Sequence, residues 1–209
     1  MPSTTTPTHL LLLRTAERLY AERGLSDVSN RQVAEAAGQA NNSAVAYHFG
    51  SKAQLVQAIS RHHSAAMDQH AARMLEQAAG SPDLRDHVAC VVRPYTDHLA
   101  TLGTPSWCAR FVAQVTTDPT FRDSAIWSAI GSAPTRDVLS AVWARVPRTP
   151  PRLAALRNQM MRVLIVHTCA EQEQEGADAG VAPDWTAVGD ALVDAITAVL
   201  LTPPGSPAP

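Results

Sequence analysis

SNRQVAEAAGQANNSAVAYHFGSK, residues 29–52, decides the fold, because it spells two short helices joined by a polar turn. Ser29 stands at an N-cap position and Gln32, three residues on, completes a capping box; Val28 and Val33 flank it at the spacing of a hydrophobic staple. Val33, Ala34 and Ala37 recur at helical spacing, and Gly38 follows where a left-handed residue ends a helix without steric penalty. Gln39, Ala40, Asn41 and Asn42 supply the turn. Residues 43–49 give a second helix with Ala44, Val45 and Phe49 available to face inward, and Gly50 closes it. Ser51 and Gln54 repeat the capping-box spacing, so a third helix opens at once.

This layout predicts a helix-turn-helix, in which the first helix rests across a DNA backbone and the start of the second projects into a major groove. The polar inventory fits that task. The amides of Gln39, Asn41 and Asn42 match both the donor and the acceptor of adenine, and Ser43 matches either kind of base edge. Tyr47, His48 and Lys52 suit phosphate oxygens, as do Ser29 and Arg31 at the start of the first helix. Any capped helix pair carries polar residues at its turn, so the pattern alone leaves a purely structural pair open.

From Leu12 to Leu55 the chain resembles the N-terminal domain of the tetracycline-repressor (TetR) family: LLRTAERLYAERG as first helix, then VAEAAG, then YHFGSKAQL. The resemblance implies an all-helical fold with an N-terminal three-helix DNA-binding domain and a larger C-terminal helical domain for effector binding and dimerisation. It implies a homodimer on a double-stranded palindromic operator, with repression as the family norm and a small organic effector. The chain departs from the family pattern in NNSAVAYHF, where the turn is one residue longer and Ala46 stands where a Tyr is expected; Tyr47 is then expected to take over its phosphate contact.

Composition agrees with a globular protein, with 45% apolar and 17% charged residues. No apolar run is long enough to span a bilayer and no leader pattern opens the chain, so a cytoplasmic protein without membrane contact is expected. Cys90, Cys108 and Cys169 are far apart and odd in number, which fits reduced core thiols. Residues 1–63 hold six Arg/Lys against four Asp/Glu, and residues 64–209 eleven against fifteen, so the basic end is the candidate DNA end.

The remaining chain reads as helices separated by Gly and Pro signals. We expect domains at 8–55 (DNA binding) and 56–202 (effector binding and dimerisation), with disordered tails at 1–7 and 203–209. A long helix over 51–79 joins them. Its His62, His63 and His70 raise the question of a metal, but His63 and His70 lie two turns apart, too far for one ion, and no paired Cys or carboxylate completes a set. No metal or other cofactor is therefore expected.

The middle helices collect most of the few aromatic residues: Tyr95, Trp107, Phe111, Phe121, Trp127 and Trp143, with His98, Cys108 and Gln114 as scattered polar partners. That mixture fits an apolar pocket with a few orienting groups, and equally an ordinary core; the resemblance favours a pocket formed by Tyr95, His98, Trp107, Phe111, Trp127 and Trp143. Residues 152–172 and 183–201 read as the last two helices, separated by an acidic loop, EQEQEGADAGVAP. Leu156, Met160, Val163 and His167 make a heptad-like seam in the first, and Val188, Leu192, Ala195 and Val199 in the second. Those seams are the candidate dimer interface. No nucleophile with its base, carboxylate pair or phosphate-cradling loop marks an enzyme. The alternatives that remain are a helical protein-interaction module and a regulator without a small-molecule effector.

Overall fold

The computed structural model describes residues 7–41, 43–122 and 132–203. Among them are nine helices and no strand: α1 (Pro7–Arg23), α2 (Asn30–Ala36), α3 (Ala44–Phe49), α4 (Lys52–Ala78), α5 (Leu84–Thr101), α6 (Cys108–Thr117), α7 (Ala133–Trp143), α8 (Pro151–Ala179) and α9 (Trp185–Leu201). Of the tails expected to be disordered at 1–7 and 203–209, residues 1–6 and 204–209 lie outside the described residues, as do Asn42 and Trp127; Pro7 is instead the first residue of α1, where a proline needs no N–H.

Both capping boxes form. Ser29 accepts from Gln32 N at 3.3 Å while its own N–H reaches Gln32 Oε1 at 2.7 Å; Ser51 and Gln54 repeat the arrangement at 3.2 and 2.8 Å. Val28 and Val33, the staple, are buried together in the first core. Gly38 and Gly50 both lie at positive φ, +68° and +80°, where an L side chain is strained, so the chain can turn sharply on either side of α3.

The first core joins α1 to α4 through Leu12, Ala16, Leu19, Tyr20, Val33, Val45, Leu55 and Ile59, and it also takes Phe111 and Val115 from α6. The head is thereby docked on the body, with the Tyr20 and Phe111 rings stacked at 6.3 Å. A second core gathers α5, α6, α7, α8 and α9 around Val88, Val92, Leu99, Cys169, Val193 and Ile196. Helix α5 runs through Pro94, which it buries, and α9 packs along it. Helix α4 spans both regions, contributing Leu55 and Ile59 to the first core and Met67 to the second.

One expectation is corrected. The acidic stretch read as a loop over 171–183 is helical as far as Ala179, and α8 ends only at Gly180, in the left-handed conformation. Glu and Gln favour helix, and Gln172–Glu175 and Gln174–Asp178 side-chain bonds at 2.8 Å brace the turns. The extension has a structural purpose. Glu173, only 2% exposed, reaches the start of α6, where its carboxylate accepts the Ser106 hydroxyl at 2.7 Å and the Ala109 and Arg110 N–H groups at 3.1 and 3.0 Å. The same helix carries buried Arg157, which donates to the Leu200 carbonyl at 3.1 Å and to that of Thr202 at the end of α9. Each charge thus meets a helix terminus of opposite partial charge.

Candidate nucleic-acid interface

The helix-turn-helix consists of α2, α3 and the short segment that joins them. Ala44 and Val45 anchor α3 in the core, which leaves Asn41, Ser43, Ala46 and Tyr47 exposed along one edge. Asn41 Oδ1 accepts the Ser43 N–H at 2.9 Å and its carbonyl the Ala44 N–H at 3.0 Å, an Asx-type turn that sets the start of α3. Ser43 occupies the N-cap of α3 without a side-chain capping bond. Tyr47 is 85% exposed, with its ring edge-on to His48 at 5.1 Å. His48 is half-buried, and His9 near the start of α1 packs on Phe49 at 4.3 Å, so the start of α1 steadies the end of α3. Burial, then the neighbouring His48, pushes the His9 imidazole below its ordinary pKa.

The other sequence-selected residues are engaged within the protein to different degrees. Ser29 spends its hydroxyl on Gln32, Gln39 Nε2 donates to the Ala37 carbonyl at 3.3 Å, and Arg31 Nε pairs with Glu35 at 2.7 Å on the open surface. Lys52 is turned inward. Its ammonium donates to the Leu25 carbonyl and lies 5.6 Å from the centre of the Tyr20 ring, and burial lowers its pKa against the pull of Asp118 and Asp27.

The aromatic set expected to line one pocket is divided between the two cores. Phe111 belongs to the first, with half-buried Trp107 against it, whereas Tyr95 lies in the second and Trp143 packs on its edge, donating to Asn158 at 3.0 Å. The Tyr95 hydroxyl is buried without a hydrogen-bond partner. Two hollows of about 230 Å³ each are lined by other residues, one by Leu99, Gly103, Pro183 and Trp185, the other by Gly24, Asp27, Gln114 and Asp118.

Of the two apolar seams, Leu156, Met160 and Val163 on α8 are exposed, at 49, 47 and 38%. His167, Val188 and Val199 are half-buried and Ala195 is exposed. Leu192, by contrast, is 3% exposed inside the second core, so it faces α5 and not the outside. The outer side of α9 carries Ala187, Ala191, Ala195 and Ala198 instead.

Sequence spacing within single helices missed a polar constellation where α1, α4, α5 and α6 meet. His63 Nε2 lies 2.9 Å from Glu17 Oε1, and His63 Nδ1 lies 2.8 Å from His98 Nε2. Cys108, the first residue of α6, brings its sulfur to the same place. Glu17, His63 and Cys108 are buried and His98 is partly exposed. Burial first, then His63 and His62, pushes the His98 pKa down to about 4, and burial raises that of the Cys108 thiol.

A capped helix pair with an exposed polar reading edge, mounted on a larger helical body, defines a helix-turn-helix DNA-binding protein. Residues 12–59 match the family described as bacterial regulatory proteins, tetR family, so this segment is similar to the DNA-binding domain of those transcriptional regulators. The whole chain is similar in fold to the crystal structure of a TetR family transcriptional regulator, PfmR, from Thermus thermophilus. The TM-score is 0.59 with 17% sequence identity, over 97% of this chain and 100% of that one. No curated protein matches the sequence.

Proposed function

We propose that the protein is a homodimeric, effector-responsive repressor that binds a palindromic operator. The observation that carries this reading is the pairing of an exposed reading edge on α3 with an unpartnered apolar stripe on α8. Leu156, Met160 and Val163 beside the alanines of α9 form a surface that a second copy covers by packing the same two helices, with small residues allowing close approach. A two-fold axis there presents two reading helices to successive major grooves. Ser43, Asn41 and Asn42 read bases, Tyr47, His48 and Arg31 hold phosphates, and Ser29 and Gln39 fix the backbone that carries them. Lys52 acts mainly as a strut.

Residues 8–55 serve as the DNA-binding unit and 56–202 as the body that holds effector and partner. A small organic effector occupies the body near Tyr95, whose orphaned hydroxyl offers it a polar anchor. No helix among the described residues is long and apolar enough to cross a membrane, in keeping with action on DNA in the cytoplasm. A competing reading, an interaction module that has lost DNA binding, draws on the inward Lys52 and the paired Arg31. Gel shifts on the DNA flanking its own gene, at rising salt, separate the two: a repressor binds as a dimer with a steep salt dependence, and an interaction module leaves the DNA free.

A further inference from the structure

We infer that His63, His98 and Cys108 bind a single borderline-soft divalent metal ion, with Zn²⁺ as its natural occupant, and that Glu17 orients His63 for it. Occupancy of this site sets the pose of the DNA-reading head; that second step alone rests on the DNA-binding reading above. The three ligand atoms lie within 4.8 Å of one another. Bonds of about 2.0–2.1 Å to nitrogen and 2.3 Å to sulfur place tetrahedral ligand atoms about 3.3–3.7 Å apart, so an ion draws the widest pair together by about 1 Å at most and parts the His63 and His98 nitrogens, 2.8 Å apart without it, by about 0.5 Å. Two imidazoles and a thiolate select zinc-like ions over magnesium or calcium, and three protein ligands leave the fourth position open.

The surroundings supply what a bare trio lacks. The Glu17 carboxylate, 2.9 Å from His63 Nε2, holds the proton on that nitrogen and leaves the Nδ1 lone pair facing the site, the carboxylate–histidine–metal arrangement. In the metal-free protein His98 Nε2 donates to His63 Nδ1. On binding, that proton moves to His98 Nδ1, the imidazole stays neutral, and the Cys108 thiol releases its proton to solvent, one proton per ion. A divalent cation is then balanced by the thiolate and the Glu17 carboxylate, so the buried site carries no net charge. Partly exposed His98 is the side from which an ion enters.

The ligands also explain the coupling. Glu17 sits on α1 and His63 on α4, which together carry the head, while His98 and Cys108 belong to α5 and α6 of the body. The start of α6 is itself fixed by Glu173. An ion therefore ties α4, which runs on from the head, to α5 and α6 of the body, and reaches α1 of the head through the Glu17–His63 bond.

The test titrates Co²⁺ into chelator-stripped full-length protein. One Co²⁺ per chain is expected, with a thiolate-to-cobalt charge-transfer band and intense tetrahedral visible bands, displaced by one equivalent of Zn²⁺. Cys108→Ser removes the charge-transfer band, while Cys90→Ser and Cys169→Ser keep it. Glu17→Gln keeps the band but weakens binding by about 10–100-fold, and His98→Gln, at a partly exposed position that tolerates change, weakens it by more than about 100-fold. Absence of the band in the wild-type protein, or its survival in Cys108→Ser, overturns the site and leaves the cluster as a Glu17–His63–His98 hydrogen-bond relay. Gel shifts with and without Zn²⁺ should differ by about 5–150-fold. Metal binding with unchanged operator affinity overturns the coupling, whereas DNA binding by neither form counts against the repressor reading and not the site.

Discussion

A single carboxylate oxygen of Glu173 accepts both the backbone N–H of Arg110, at 3.0 Å, and its guanidinium Nε, at 3.3 Å. The other oxygen takes the Ala109 N–H and the Ser106 hydroxyl, so this one buried side chain satisfies the first turn of α6 and pairs its cation. Glu173→Ala strands all of these donors at once. Breaking a buried pair costs about 3–5 kcal/mol, which for a chain of this size lowers the Tm by roughly 6–20 °C. Thermal melts should show that loss, with Glu173→Gln in between because it keeps an acceptor oxygen. A change under about 1 kcal/mol on Glu173→Ala would mean that water replaces the carboxylate.

On the DNA face, base readers and phosphate holders separate by what their loss does. Ser43→Ala, at an exposed position with no capping bond to lose, should relax preference at one operator position by about 1–3 kcal/mol while leaving binding to random DNA unchanged. Asn42→Ala carries the same expectation. Asn41→Ala should lower all binding, since its side chain also builds the turn into α3. Tyr47→Phe should weaken operator and random DNA alike and leave the salt slope unchanged, because the hydroxyl it removes is neutral. Lys52→Met is different again. It removes the bond to the Leu25 carbonyl, and we expect a loss of about 1 kcal/mol in urea melts alongside any effect on DNA.

The signals that were legible in the sequence are local ones. Ser29 with Gln32 and Ser51 with Gln54 fix two helix starts within four residues of chain, and Gly38 and Gly50 fix the stops. Gly176 misled for the same reason, since a glycine in an acidic stretch reads as a break. In α8 it is required by contact, because a Cβ there would lie 2.8 Å from the Val181 carbonyl and from Pro183 Cδ. Gly176→Ala should thus destabilise by about 1–2 kcal/mol, against the gain of roughly 1 kcal/mol that Ala brings to an open helix position. A stabilised variant in thermal melts would show that the 181–183 segment yields. The Glu17, His63, His98 and Cys108 cluster was illegible because each helix contributes only one member.

Tyr95 provides a prediction with the opposite sign. Its hydroxyl is buried with no partner, so Tyr95→Phe removes an unsatisfied group and should stabilise the protein by about 1 kcal/mol in chemical melts. If the hydroxyl is the anchor of an effector, the same variant should lose thermal-shift response to compounds that stabilise the wild-type chain. A variant that is destabilised has lost a hydrogen bond to ordered water, and one that responds fully to such compounds places the anchor elsewhere.

The two apolar seams separate assembly from folding. Met160 is 47% exposed on α8, and Leu192, on the neighbouring helix, is 3% exposed among Val193 and Ile196. Met160→Glu should leave helix content and melting nearly unchanged, because its side chain stands outside the second core. In a dimer packed through α8 and α9 it places a buried carboxylate, and its two-fold mate, in an apolar interface, at a cost of several kcal/mol. Light scattering should then report monomers, and operator binding should fall by orders of magnitude because one reading helix no longer brings the other to its half-site. Leu192→Arg should instead lower solubility and helix content, since it buries a charge in the core of each chain. An intact dimer for Met160→Glu would move the interface off the Leu156, Met160 and Val163 stripe. A folded monomer for Leu192→Arg would mean that α9 turns its inner side to a partner after all.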